Sequence, residues 1–73
     1  MWYKMIYAYT IPDRSEPSGK RIITKNVYTD MPDSKSAINK FHDRYDFRPM
    51  EDMSLVSIQP LEDHTELKNA EIM

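Results

Sequence analysis

The sequence predicts an α+β fold, a three-stranded antiparallel sheet with one helix packed on one face, in the order β-β-α-β with a short tail. Three observations predict it. Two early runs, MWYKMIYAYTI and KRIITKNVYT, are rich in the β-branched and aromatic residues that strands favour. The stretch SKSAINKFHDRY carries apolar residues at helical spacing. MSLVSIQPL then returns to strand composition, with Pro60 marking its end or an edge position.

Residues 2–11 form the first expected strand. Alternate side chains point to opposite faces. Trp2, Lys4, Ile6 and Ala8 therefore share one face, and Tyr3, Met5, Tyr7, Tyr9 and Ile11 the other. IPDRSEPSGK holds two prolines and the only glycine, so it is a loop. Residues 20–29 form the second strand, with Ile23 and Val27 on one face and Ile22 and Tyr28 on the other.

In DMPDS, either Asp30 or Asp33 caps a helix, and Pro32 suits its first turn. Ala37, Ile38, Phe41 and Tyr45 make the helix's apolar stripe, and Pro49 forbids a longer helix. FRPMED is a connector whose Phe47 and Met50 are expected to pack back on the core. Residues 53–61 form the third strand, with Val56 and Ile58 on one face and Leu55 and Ser57 on the other. The tail, residues 62–73, is expected to form a short helix presenting Leu67, Ala70 and Met73. The organisation is one domain over residues 1–61 followed by this tail.

Bulk properties bound the function. A chain of 73 residues holds one domain and buries only ~60% of its unfolded surface. It has no cysteine, so no disulfide staples it and no thiolate serves as ligand or nucleophile. Unstapled scaffolds of this size lean on a partner or on a second copy of themselves, which keeps a homodimer among the expectations. No apolar run nears the ~20 residues that span a bilayer, so no membrane partner is expected. The opening residues, interrupted by Lys4, lack the pattern of an export signal, and a cytoplasmic location is expected.

Catalytic chemistry finds little to work with, and neither catalytic nor metal-binding residues are assigned. His42 and Asp46 stand four apart but supply at most two ligands, where zinc takes three or four. Asp63 and His64 are adjacent, a poor geometry for an acid/base pair, and no motif supplies a nucleophile. One glycine cannot build a phosphate-cradling or dinucleotide-binding loop. The chain is expected to be neither an enzyme nor a cofactor carrier.

Binding chemistry is better supplied. Ile6 and Ala8 suit a close contact between sheet and helix. That arrangement leaves Tyr3, Met5, Tyr7 and Tyr9 on the open face, as an aromatic patch of the kind that marks interaction sites. In the competing arrangement the tyrosines fill the core beneath the helix and tail, or a second subunit covers them. A register slip of one residue exchanges the two.

On the first arrangement, Tyr3, Tyr7 and Tyr9 anchor a partner while Lys20, Arg21 and Lys25 on the next strand orient it. The partner expected first is a protein, since a net charge of −2 runs against phosphate-driven binding. The alternative is RNA or single-stranded DNA stacked on the same rings and held by the same cations. The third reading is a homo-oligomeric structural subunit. An exposed edge strand could also accept a partner strand.

One stretch carries a resemblance. NVYTDMPDSKSAINKFHDRY ends a strand at Val27, turns through Asp30 and Asp33, and opens a helix with Ala37, Ile38 and Phe41. With a strand pair before it and MSLVSIQPL after it, the order over residues 2–61 resembles small phage-encoded accessory proteins, anti-CRISPR and host-takeover inhibitors among them. The resemblance is architectural. It implies an inhibitor or adaptor docking on a larger complex in the host-cell cytoplasm, and it carries over no residue's role.

Overall fold

The computed structural model describes residues 1–45 and 53–73. It is a small α+β fold: β1 (Trp2–Pro12), β2 (Lys20–Asp30), α1 (Ser34–Tyr45) and β3 (Ser54–Pro60), followed by a 3₁₀ turn at His64–Leu67. The sheet is antiparallel throughout, in the order β2-β1-β3, with the helix on one face. Phe47 and Met50, expected to pack back on the core, lie outside the described residues.

The β1–β2 hairpin is in unbroken register from Trp2↔Asp30 to Pro12↔Lys20. Its loop closes on itself. Asp13 donates its N–H to the Gly19 carbonyl at 2.9 Å, and Gly19 donates to Glu16 at 2.9 Å. Gly19 has φ +77°, the left-handed region where a Cβ is costly. The Asp13 carboxylate accepts from the Ser15 hydroxyl and N–H at 2.6 and 2.9 Å, which holds its pKa below the usual carboxylate range.

Of the two candidate caps, Asp33 is the one used. Its carboxylate accepts the Ser36 N–H at 2.7 Å. Asp30 instead pairs with the N-terminal ammonium at 3.0 Å. The helix buries Ala37, Phe41 and Tyr45, spaced four apart along one stripe.

That stripe packs on Tyr3, Met5, Tyr7 and Val27, and the seven residues form the core. The tyrosines of β1 therefore face the helix, and the open-face arrangement is corrected. Tyr3 and Tyr7 are only 6% and 4% exposed, and Tyr9 is half-buried against the same cluster. The reason is volume. A single short helix that buries Ala37, Phe41 and Tyr45 leaves a gap that Ile6 and Ala8 cannot fill at native packing density. The tyrosine rings do fill it: Tyr7 lies 5.6 Å from Phe41 and 5.2 Å from Tyr45 between ring centroids.

In β3 the expected alternation fails. A register shift between Ile6 and Tyr7 lets Tyr7 pair with Leu55 while Ile6 pairs with Ser57. Val56 is the extra residue of this bulge, so Leu55 and Ile58 both pack against the core.

The tail also departs from expectation. It makes one 3₁₀ turn, capped by Asp63, whose carboxylate accepts from the Thr65 N–H and hydroxyl at 3.0 and 2.7 Å. Asn69 then turns the chain with φ 62°. The last residues pair with β2: Tyr28 donates to Glu71 at 3.0 Å and Met73 donates to Tyr28 at 2.8 Å, a parallel bridge. So short a helix is marginal on its own, and the backbone finds strand partners instead.

Among the described residues one core group is unsatisfied. Thr29 is fully buried and its hydroxyl has no hydrogen-bond partner. Thr29→Val keeps the shape and removes the unpaired oxygen, so it is expected to stabilise the fold by about 1 kcal/mol. Thermal unfolding should show Tm rising by about 4–8 °C; a lower Tm would mean that the hydroxyl is engaged in solution.

Candidate interaction surface

The tail acts as a strap across the sheet's outer face. From Leu61, whose N–H bonds the Trp2 carbonyl at 2.9 Å, it carries Glu66 over the end of the sheet. There the Glu66 carboxylate accepts the Tyr28 hydroxyl at 3.1 Å and pairs with the Lys4 ammonium at 3.2 Å. Tyr28 and Lys4 are register partners on that face, and the strap leaves Tyr28 only 6% exposed. The chain then rounds the β2 edge to the helix. Arg44 lies 3.7 Å from Glu71, and Lys40 donates to the Met73 carbonyl at 3.0 Å. Strap and β3 together border a cleft lined by Lys4, Gln59, Pro60, Leu61, Glu62, Asp63 and Glu66. Its lysine is already held by Glu66.

Beyond the strap the outer face is uncovered among the described residues. Register places Asn26, Ile6 and Ser57 in one row, Thr24, Ala8 and Ser54 in the next, and Ile22 beside Thr10 in the third. None of these side chains is charged, in a chain where 30% of residues are. Ile22 stands 71% exposed at one side of this field, and Val56 is 60% exposed at the β3 bulge.

The residues expected to bind are distributed differently. Tyr3 and Tyr7 lie in the core, and Tyr9 stacks on Tyr7 at 6.1 Å on the helix side. Lys25 and Arg21 are register partners of Tyr7 and Ile11, so they share that side, while Lys20 belongs to the outer face. All three cations are exposed, and the Arg21 guanidinium lies 3.7 Å from Asp13. The structure thus brings the basic residues together along one strand but does not join them to a free aromatic surface. The uncharged field was overlooked, although the even-numbered residues from Ile6 to Thr10 and Ile22 to Asn26 carry it openly in the sequence.

Among the described residues no group of three or more His, Cys, Asp or Glu could hold a metal ion, and no helix is long and apolar enough to cross a membrane. Asp46 lies outside them, and with it the proposed partner of His42. Asp63, read beside His64, is engaged as the cap of the 3₁₀ turn. No family model, curated protein or solved structure matches the chain.

Two expectations follow for solution behaviour. Burial, and then a hydrogen bond with Tyr45, push the Tyr7 phenol well above its ordinary pKa. Folding favours the protonated ring, so its contribution is complete below the unfolded value of about 10 and is lost as pH rises past it. Chemical denaturation between neutral and strongly alkaline pH should show stability falling above about pH 10, less steeply in Tyr7→Phe. The strap should loosen locally when Tyr28→Phe removes the hydroxyl held by Glu66. Hydrogen exchange at the Met73 amide is expected to quicken about fivefold, the equivalent of ~1 kcal/mol. Unchanged exchange there would show that the strap is held by its main-chain bonds alone.

Proposed function

We propose that the chain is a non-enzymatic protein-binding module that docks through the uncharged half of its outer face and the adjoining β2 edge. The observation that carries this reading is Ile22, 71% exposed within a field of neutral side chains. Leaving an isoleucine in water forgoes ~1.5–3 kcal/mol of burial, which a partner recovers on docking. Lys20, Arg21 and Lys25 on the same strand supply charge that orients a partner without being its main source of affinity. A domain this small acts by occupying a surface, as an inhibitor or adaptor of a larger complex does, and this is the form of function that its resemblance to phage-encoded accessory proteins suggests.

Nucleic acid is the second reading, favoured by the same three cations on one exposed strand. Salt separates the two. A single-stranded nucleic acid held by three phosphate contacts weakens with a log-log slope of roughly −2, whereas an apolar protein contact changes little.

The test uses the tagged full chain in lysate of its native host. A stoichiometric protein retained in high salt is expected, and Ile22→Glu and Thr24→Arg should each release it. Both positions are exposed, so stability should stay within about 0.5 kcal/mol of the parent. A partner retained by both variants would remove the basis of this reading, and nucleic acid released by salt would replace it with the second.

A further inference from the structure

The outer edge of β2 shows which part of that surface is open and what fits it. In an antiparallel ladder, alternate residues turn their main-chain groups toward one neighbour. Met31 donates to Met1 at 3.0 Å, which sets the odd-numbered residues of β2 toward β1. The even-numbered residues therefore aim N–H and C=O outward.

Both ends of this edge are sealed. At one end the Ser18 hydroxyl accepts from the Lys20 N–H at 3.3 Å and donates to its carbonyl at 3.0 Å. At the other, Glu71–Met73 takes both main-chain groups of Tyr28. Between them Ile22, Thr24 and Asn26 are exposed, and no described residue bonds their outward main-chain groups. The gap spans ~13 Å, room for about five residues of an added strand.

Two features specify the occupant. The end of the strap is seated on this edge by a single parallel bridge, and its sequence, Glu71-Ile72-Met73, joins an acid to apolar residues. The open stretch continues that interface. It is also cationic: from Ile22 to Asn26 the one charged residue is Lys25, and Arg21, 3.7 Å from Asp13, stands just outside it. A second copy of β2 paired antiparallel about Thr24 would set the two Lys25 side chains diagonally across the pair, like charge beside like. An acidic strand would meet the opposite sign.

We propose that the β2 edge between Ile22 and Asn26 takes up an extended acidic segment of a partner protein as an added strand. This rests on the reading of the chain as a protein-binding module and names the partner's chemistry. The main chain of Ile22, Thr24 and Asn26 supplies affinity without regard to sequence, and the Lys25 ammonium selects for acidic side chains.

The probe is the blocked peptide acetyl-Glu-Ile-Glu-Val-Glu-Ile-Glu-amide, added to the full chain and followed by amide hydrogen exchange. At saturation, exchange at Ile22, Thr24 and Asn26 should slow at least tenfold, with Ile23 and Lys25 unchanged. The same peptide with lysine in place of glutamate should give no protection. Lys25→Glu should weaken the acidic peptide severalfold. Thr24→Pro deletes the central outward N–H but leaves the bonds to β1 intact, as edge strands tolerate. It should abolish protection, its fold verified by circular dichroism, and Ile22→Pro serves if that variant unfolds.

No protection by the acidic peptide, or equal protection by its lysine counterpart, overturns the proposal. So does protection of the same three amides without peptide, accompanied by mass rising with concentration, since a second copy then holds the edge. If Ile22→Glu releases the native partner while no peptide protects the edge, strand addition falls and the binding module stands. If the peptide protects the edge while the native partner is indifferent to Ile22→Glu, the strand site stands and the face-docking reading falls.

Discussion

Everything else in this fold depends on the packing of Tyr7 against Phe41 and Tyr45. One helix of twelve residues must cover three strands, and it brings only two large side chains to the task. The central strand supplies the missing volume. Phe41 and Tyr45 lie 4.7 Å apart between centroids, and Tyr7 closes the trio from below. Tilted rings at such separations gain from their quadrupoles beyond simple burial. The other side of β1 carries Trp2, Lys4, Ile6, Ala8 and Thr10, of which the last three lie beyond the strap and are uncharged.

The strap solves a second problem. A three-stranded sheet with one helix leaves a whole face wet and two edges unpaired, and exposed edges invite pairing with other chains. Here the tail covers one end of the face, and Ser18 and Glu71–Met73 close off the edge of β2 from both directions. Among the described residues, what remains unpaired on the β2 edge is the short window from Ile22 to Asn26 rather than its whole length. Pro60 on the opposite edge strand removes a donor there.

Much of the fold was legible because its signals are local. Alternation in β1 and β2 sorted the residues of each strand correctly into two sets, and helical spacing found Ala37, Phe41 and Tyr45. Alternation does not say which set faces inward. That choice rested on the volume needed between sheet and helix, a tertiary quantity, so Tyr3 and Tyr7 were expected on the wrong side. The bulge at Val56 was hidden for a related reason: an inserted residue is visible only against its partner strand. The tail misled because its apolar spacing suits a helix, whereas Asn69 turns it and the unpaired main chain of Tyr28 captures it. The cations of β2 were legible at once, and their neutral surroundings became meaningful only when register aligned three strands.

The strand order has a consequence for the chain as it is made. β1 lies at the centre of the sheet yet is synthesised first, and one of its neighbours, β3, begins only at Ser54. At ~5–20 residues per second, that side of β1 waits for seconds with its main chain unpaired. Until Tyr45 is made, Tyr3, Met5 and Tyr7 have neither β3 beside them nor the completed helix above. The nascent hairpin thus exposes apolar rings on one face, and the lysines and arginine on β2 are already present to oppose its association with neighbouring nascent chains.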